Sequence, residues 1–212
     1  MIQQTISSLR QNFTRPLPGQ AAQFKMAPAP RRSNMTAPDG VFEAAVLALI
    51  YPKEEVPHLV LIERTGHNRR DRHRGQISLP GGRAEEDDGS FEQTALRETQ
   101  EEVGVNAEDV EILGKLSPLY IPVSNFKVYP YVGYVEYEPQ WIPQESEVAG
   151  IIEVPLSHFL DTSNHRTKDM NFSANLLIRE VPYFDVAGRT VWGATAMILS
   201  ELVEILDSAN IA

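Results

Sequence analysis

The sequence predicts one α/β unit built on a mixed sheet, and three observations carry that expectation. Two apolar runs of strand character, Val41 to Tyr51 and Pro57 to Arg64, succeed one another across a short Pro-Lys-Glu-Glu turn. Ser90 to Val103 repeats its apolar residues at helical spacing, as does the stretch from Trp192 onward. A chain of 212 residues with 42% hydrophobic content suits a single well-filled core.

Along the chain, Ile2 to Phe13 predicts a short helix, and the proline-rich stretch from Pro16 to Pro38 an irregular arm tethered by Phe24 and Met26. Residues 1–40 are expected to be an N-terminal extension and 41–212 a single domain that includes the terminal helix. In the central helix Phe91, Ala95, Leu96, Thr99 and Val103 form the inner stripe. Ser90 is placed to cap its start, and Gly104 to end it in a left-handed conformation. Further strands are expected at Val110 to Ser117, Asn125 to Glu136 and Glu147 to Val154, with a helical turn over Pro155 to Leu160. Leu176 to Val181 and Tyr183 to Val186 read as a strand pair divided at Pro182. Ala194, Ala196, Met197, Leu199, Leu202, Val203, Ile205 and Leu206 then face the terminal helix toward the sheet.

Composition excludes several classes of chemistry. Cysteine is absent, which removes disulfides, thiolate catalysis and Cys-based metal sites together. The longest clean apolar run, Ala44 to Tyr51, is far short of the roughly 20 residues of a membrane helix. No basic segment leads into an apolar stretch at the N-terminus, so a cytoplasmic protein without a membrane partner is expected. A formal charge of -10 argues against a nucleic-acid partner. That charge is unevenly spread: 11 basic and 6 acidic residues up to position 80, then 8 basic and 23 acidic. The change of sign falls at Leu79-Pro80-Gly81-Gly82, with Arg69, Arg70, Arg72 and Arg74 just before it.

The chemistry concentrates in that junction and the helix after it. Glu98, Glu101 and Glu102 are three and four apart, so a helix places them on one face, where they repel at neutral pH. A divalent cation reverses the sign of that interaction, and hard carboxylate oxygens suit Mg2+ or Mn2+. Gly81 and Gly82 allow backbone to approach a ligand or adopt positive φ. Arg97 is placed to hold this glycine loop through its carbonyls or to pair with a helix carboxylate. A solvated acidic face is the plain alternative, which the adjoining glycine turn and the Arg97-Glu98 pair weigh against. No His-x-x-x-His pair, phosphate-loop motif or dinucleotide glycine motif is present.

These residues resemble the box of the Nudix hydrolase family: a glycine, a later acid, Arg-Glu, then Glu-Glu and a closing glycine. The chain supplies Gly82, Asp88, Arg97-Glu98, Glu101-Glu102 and Gly104. It departs in having Asp at 88 where Glu is usual, one extra residue before Arg97, and Thr99 at an aliphatic position. A wider likeness to the coenzyme A pyrophosphatase branch rests on Leu61-Ile62-Glu63-Arg64-Thr65, on Arg72-His73-Arg74-Gly75-Gln76 running into Pro80-Gly81-Gly82, and on Trp192-Gly193-Ala194-Thr195-Ala196. Ile62, Glu63, Thr65 and Leu79 differ from that branch's pattern.

The resemblance implies a Nudix-type α/β/α sandwich and metal-dependent cleavage of the diphosphate of coenzyme A, giving 3',5'-ADP and 4'-phosphopantetheine or its acyl form. ADP-ribose or another nucleoside diphosphate derivative is the alternative substrate, and an inactive nucleotide-sensing module the alternative class. In these terms Glu98, Glu101 and Glu102 hold Mg2+ or Mn2+ with the Gly81 backbone. Glu98 or the remote Glu147 takes a proton from water, Arg64, Arg72, Arg74 and Gln76 meet the substrate, and Gly81, Gly82 and Arg97 support the loop. Tyr120, Phe126, Tyr129, Tyr131, Tyr134 and Trp141 are candidate pocket walls, and a homodimer is plausible by the same likeness.

Overall fold

Strand β1, Phe42–Lys53, shows why the sheet is covered on both sides. Its side chains alternate in direction, as a pleated strand requires. Ala44, Ala48 and Ile50 enter one buried cluster, while Ala45, Leu47, Leu49 and Tyr51 enter another. In the computed structural model, which describes residues 2–29, 36–65, 75–173 and 176–207, helix α3 (Phe91–Val103) packs in the second cluster and helix α5 (Gly193–Asp207) in the first. The result is an α/β/α sandwich around a mixed sheet. Strand β2 (Val56–Arg64) follows β1 through a tight hairpin in which Glu54 and Glu55 both take positive φ, the conformation that matches the strand twist. Strand β7 (Phe126–Tyr134) lies on the other side of β1 and runs parallel to it over nine residue pairs.

β1 and β2 stay paired only from Ile50 to Lys53 and from Val56 to Leu59, and beyond that they part. The fork is filled by the next stretch of chain. Strand β3 (Ile77–Ser78) pairs with β2, and strand β4 (Gly81–Arg83) pairs with β1, so Gly81 lies opposite Val46 and Gly82 opposite Ala45. The Leu47 amide donates to the Pro80 carbonyl between them at 2.9 Å. The glycine turn is therefore part of the sheet. Strand β5 (Glu111–Lys115) and strand β6 (Leu119–Ile121) join β7, and strand β8 (Val148–Pro155) joins the far edge of β2.

The C-terminal third differs from the expectation in its outer sheet, where two further strands add to the expected pair and that pair is one strand. Leu176–Val186 is a single strand, β10, that runs through Pro182. It pairs with β9 (His165–Ser173) along its length and with β11 (Arg189–Trp192) only from Tyr183 onward. At Pro182 the strand thus has a neighbour on one side only, which is where a residue lacking an amide donor is tolerated. Helix α4 (Leu156–Leu160) supplies the expected helical turn after β8. Among the described residues no helix is long and apolar enough to cross a membrane.

The N-terminal stretch is more ordered than an irregular arm. Helix α1 (Ile2–Asn12) buries Ile2, Ile6 and Leu9 in the cluster that holds α5, and Gln20–Gln23 forms a short helix, α2, continued by a 3-10 turn to Met26. Its anchor is a fully buried carboxylate. Glu201 of α5 accepts hydrogen bonds from the Gly19 amide (3.0 Å), the Gln23 side chain (2.9 Å), and the Ser117 amide and hydroxyl (3.1 and 2.7 Å). Burying such a group is tolerable only with its acceptor sites filled. Glu201→Leu leaves those donors without a partner and is expected to lower stability by on the order of 3 kcal/mol in urea unfolding; an unchanged midpoint would remove this carboxylate as the anchor.

Candidate active site

The carboxylate helix begins and ends as its sequence dictates. Ser90 Oγ accepts the Gln93 amide at 3.2 Å, a cap typically worth about 1 kcal/mol, and Gly104 closes the helix at φ 79° in the left-handed region. Thr99 faces the sheet fully buried, its hydroxyl satisfied by the Ala95 carbonyl at 2.7 Å. That local bond explains how a polar residue occupies a normally aliphatic position.

Gly81 is needed for space, and Gly82 brings the turn against the tip of a helix side chain. A Cβ on Gly81 would stand 2.3 Å from the Ala45 carbonyl oxygen and 2.6 Å from the Val46 Cα, and its φ of 147° lies outside the range L side chains favour. A Cβ on Gly82 would stand 2.5 Å from the Glu98 carboxylate. The glycine turn and the helix therefore touch directly. Glu102, with 1% of its side chain exposed, accepts the Gly81 amide at 2.8 Å and approaches the Arg64 guanidinium at 3.4 Å.

Arg97 does both things the sequence allows. It donates to the Arg83 carbonyl at 3.2 Å, bracing the turn, and to Glu98 at 3.0 Å and Glu101 at 3.3 Å on its own helix. Its firmest partner is Asp88, held through Nε and Nη2 at 2.8 and 2.9 Å in the forked geometry arginine favours. Asp88 also accepts from Thr94 Oγ1 and the Glu85 amide. Its carboxylate is thus fully used in closing the loop onto the helix, and the extra residue before Arg97 lies within that closed loop. The Arg97 hydrogen bonds hold the Asp88 carboxyl well below the ordinary carboxylate range.

The glutamates shift the other way. Burial raises Glu98, opposed by Arg97 and assisted by the charges of Glu101 and Glu147. Burial pushes Glu102 up to about 7 despite the Gly81 amide and Arg64, with Glu98 and Glu147 adding to the rise. Glu147 enters from the opposite side, exposed at the start of β8, where Thr65 holds the loop by donating its amide to the Glu147 carbonyl (2.8 Å) and its hydroxyl to that of Ser146 (2.9 Å). Four glutamates thus share one neighbourhood, where their charges raise Glu98 and Glu102, and Arg64 and Arg97 are the cations that oppose them among the described residues. As placed, Glu98 and Glu101 turn toward Arg97, and among the described residues no three His, Asp or Glu side chains stand as a finished cage for an ion. The donor set, hard oxygens under mutual repulsion, is nevertheless of the kind a divalent cation satisfies.

Glu98, Glu101 and Glu147 line a cleft of about 1050 Å³, while Glu102 is buried and is not part of its lining. Arg64, Gln76, Gly81, Gly82, Arg97, Glu98, Glu101 and Glu147 all lie on it, so most of the candidate residues are brought together. Gln76 is fixed through its backbone, whose carbonyl accepts the Arg64 amide at 3.0 Å. Arg72 and Arg74 lie outside the described residues. Of the candidate aromatic walls only Phe126 lines the cleft. Trp141 instead bonds Glu153 and packs on Tyr51, Tyr129 stacks on Phe91, and Tyr134 is buried in the core. The distal wall is apolar, formed by Ile121, Val123, Leu176, Ile178 and Ile198 beside Trp192. Arg83 and Val123 escaped the sequence reading because nothing in their spacing marks them; their strand register and turn bring them to the cleft.

Asp88→Asn tests the loop closure. Because the folded state depresses this carboxyl, the unfolded chain binds more protons below about pH 4, and the contribution of Asp88 is lost as pH falls through that region. The variant is expected to lose on the order of 1–3 kcal/mol at neutral pH and to show a shallower acid decline in thermal unfolding. Parallel acid limbs for the two proteins would contradict this.

The NUDIX domain family profile matches residues 41–176. A protein of Yersinia pestis (strain Pestoides F) described as an uncharacterized Nudix hydrolase, NudL, is 38% identical over 162 residues, covering 76% of this chain and 78% of its own length. The same figures hold for a NudL protein of Yersinia pseudotuberculosis serotype O:1b (strain IP 31758). The crystal structure of RenU, a Nudix hydrolase from M. smegmatis, shares the fold at 16% identity with a TM-score of 0.52, covering 81% of this chain and 89% of that one. With a profile spanning more than half of the sequence and relatives above a third identical, the chain belongs to the Nudix hydrolase family, whose pyrophosphatase chemistry on nucleoside-diphosphate-linked substrates is the class of reaction this cleft serves.

Proposed function

We propose that the substrate is coenzyme A or an acyl derivative, cleaved at its diphosphate to 3',5'-ADP and 4'-phosphopantetheine or the corresponding acyl form. The observation that supports this reading is the lining of the cleft, which carries Glu98 and Glu101 of α3 together with the apolar Ile121, Val123, Leu176, Ile178 and Ile198. A diphosphate with a long arm that bears a gem-dimethyl group and, in the acyl derivatives, a hydrocarbon chain matches such a mixed lining. The likeness of the Arg64 and Gln76 segments to the coenzyme A pyrophosphatase branch points the same way.

Nudix relatives typically use divalent ions, and Glu98, Glu101 and Glu102 with the Gly81 carbonyl would hold Mg2+ or Mn2+ here. Such an ion, when bound, offsets the charge of the diphosphate and makes a water more acidic. The chain's own residues do the rest. Arg64 faces the substrate's phosphates from β2, and Gln76 can bond its polar groups. Water adds to one phosphorus, the bridging P–O bond breaks, and the proton passes to a cleft carboxylate, Glu98 or Glu147. Arg97 stays with Asp88 and the loop.

Incubation with Mg2+ or Mn2+ and a panel of coenzyme A, dephospho-coenzyme A and ADP-ribose, read by product masses, is the direct test. Coenzyme A is expected to be cleaved fastest; faster cleavage of ADP-ribose would move the assignment to the general nucleoside diphosphate reading. Glu101→Gln should lower turnover by on the order of 10²-fold or more with the fold retained, and retained activity would exclude its role and favour a different cation site.

Glu102 yields a third outcome. Its folded-state value lies above that of the unfolded chain, so the unfolded chain gives up this proton first as pH rises. In chelator, stability should therefore fall between about pH 4.3 and 7, while saturating Mg2+ should flatten the decline. Glu102→Gln should make the slope shallower, leaving the part that Glu98 contributes. A metal-free protein equally stable at both ends of that range would exclude the buried charge.

A further inference from the structure

A row of three side chains crosses one flank of the cleft on the sheet face that carries Ala44 and Val128. The ladders set Phe42 opposite Phe126 and Ala44 opposite Arg83, so β4, β1 and β7 bring Arg83, Phe42 and Phe126 side by side. The Arg83 guanidinium lies over the Phe42 ring, 4.5 Å from its centroid. The Phe42 and Phe126 rings are 5.5 Å apart and tilted by 41°. Phe42 keeps 44% of its surface exposed, and Arg83 is exposed with no ion pair among the described residues. Both Arg83 and Phe126 line the cleft.

Phe126 packs against the core. Phe42 begins β1 and is exposed, and among the described residues Arg83 pairs with no carboxylate. A guanidinium stacked on a ring still presents a planar outer face, and an exposed phenylalanine presents its own; both accept a further flat π system. The row also sits where a nucleoside would reach. Arg83 directly follows Gly82, which touches the Glu98 carboxylate, while Arg64, Gln76 and Glu147 lie on the β2 and β8 side. A phosphate over the glycine turn thus has the stacked row on one side and the arginine of β2 on the other.

We propose that Arg83 and Phe42, backed by Phe126, form the stacking shelf for the nucleobase of the nucleoside diphosphate. The proposal rests on the family-level reading of the substrate and is independent of the choice of coenzyme A. It assigns the base to the β1–β7 flank and leaves the remainder of the substrate to the apolar wall.

Calorimetry on the full chain with Mg2+ separates the base from the diphosphate, using ADP and ribose 5-diphosphate, which differ only in the base. The wild type is expected to bind ADP about tenfold more tightly, the scale of one base stacked on a side chain. Phe42→Leu keeps apolar bulk without a flat face and should reduce that preference several-fold; Arg83→Gln should do the same, and Phe42→Tyr should retain it. The affinity for ribose 5-diphosphate should change little in Phe42→Leu. Equal binding of the two ligands by the wild type, or an undiminished preference in Phe42→Leu and Arg83→Gln with native circular dichroism, would overturn the shelf. Turnover of ADP-ribose and coenzyme A is followed alongside. A base preference that falls in the variants supports the shelf even where neither diester is cleaved, and that failure would count against the hydrolase reading instead.

Discussion

The hydrogen bond from the Gly81 amide to the buried Glu102 carboxylate is the contact on which the site's geometry depends. It ties the helix that carries the acids to the glycine turn, and it does so where β1 and β2 have parted. Gly81 cannot be enlarged without striking the β1 backbone, and Gly82 cannot without striking Glu98. Backbone and carboxylates are therefore in register because no atom intervenes. A site assembled on a sheet and a capped helix holds its groups more tightly than one assembled on loops, which matters where acids must be kept close against their own repulsion.

The acidic residues of this region divide into two kinds by their surroundings. Asp88 meets Arg97, Thr94 and a backbone amide, and its charge is fully compensated. Glu98 and Glu102 are desolvated among other carboxylates, and their charge is only partly compensated. The first arrangement fixes structure, and the second stores a demand for positive charge that a ligand can meet. Arg97 separates the two, since one guanidinium closes the loop through Asp88 while leaning on Glu98 and Glu101. An arginine so occupied has little left to offer a substrate, which is why the proposed phosphate contact is assigned to Arg64.

Legibility in the sequence followed the range of the interactions. Helix α3, its serine cap, its glycine stop and its acidic face are encoded locally, in spacing and in residues with specific backbone demands, and were readable to within a residue. The strands β1, β2 and β7 were readable because continuous apolar runs are buried on both faces. The short strands β3, β4 and β6 were not, since two or three residues carry no period, and they pair only because β1 and β2 leave a fork and β7 an edge. Strand β9, His165–Ser173, was missed for a related reason: a polar strand in a small outer sheet has no apolar alternation to betray it. Pro182 misled because its tolerance depends on which neighbour ends where.

The same distinction explains how the two ends of the cleft were perceived. The proposed catalytic end is a motif, and its glycines, arginine and glutamates lie within 24 consecutive residues from Gly81 to Gly104. The proposed recognition end is a convergence. Arg83, Val123, Phe126 and Leu176 line the cleft and Phe42 packs between Arg83 and Phe126, and they come from four separate stretches of the chain. A hydrolytic centre needs fixed charges at fixed separations, so one helix and one turn can encode it. A pocket for a base or an apolar arm needs only surfaces that face each other, and many strand ends can supply those. That asymmetry allows a shared carboxylate helix to serve different substrates: the chemistry stays in the helix and the glycine turn, while the strand ends and loops around the cleft set what enters it.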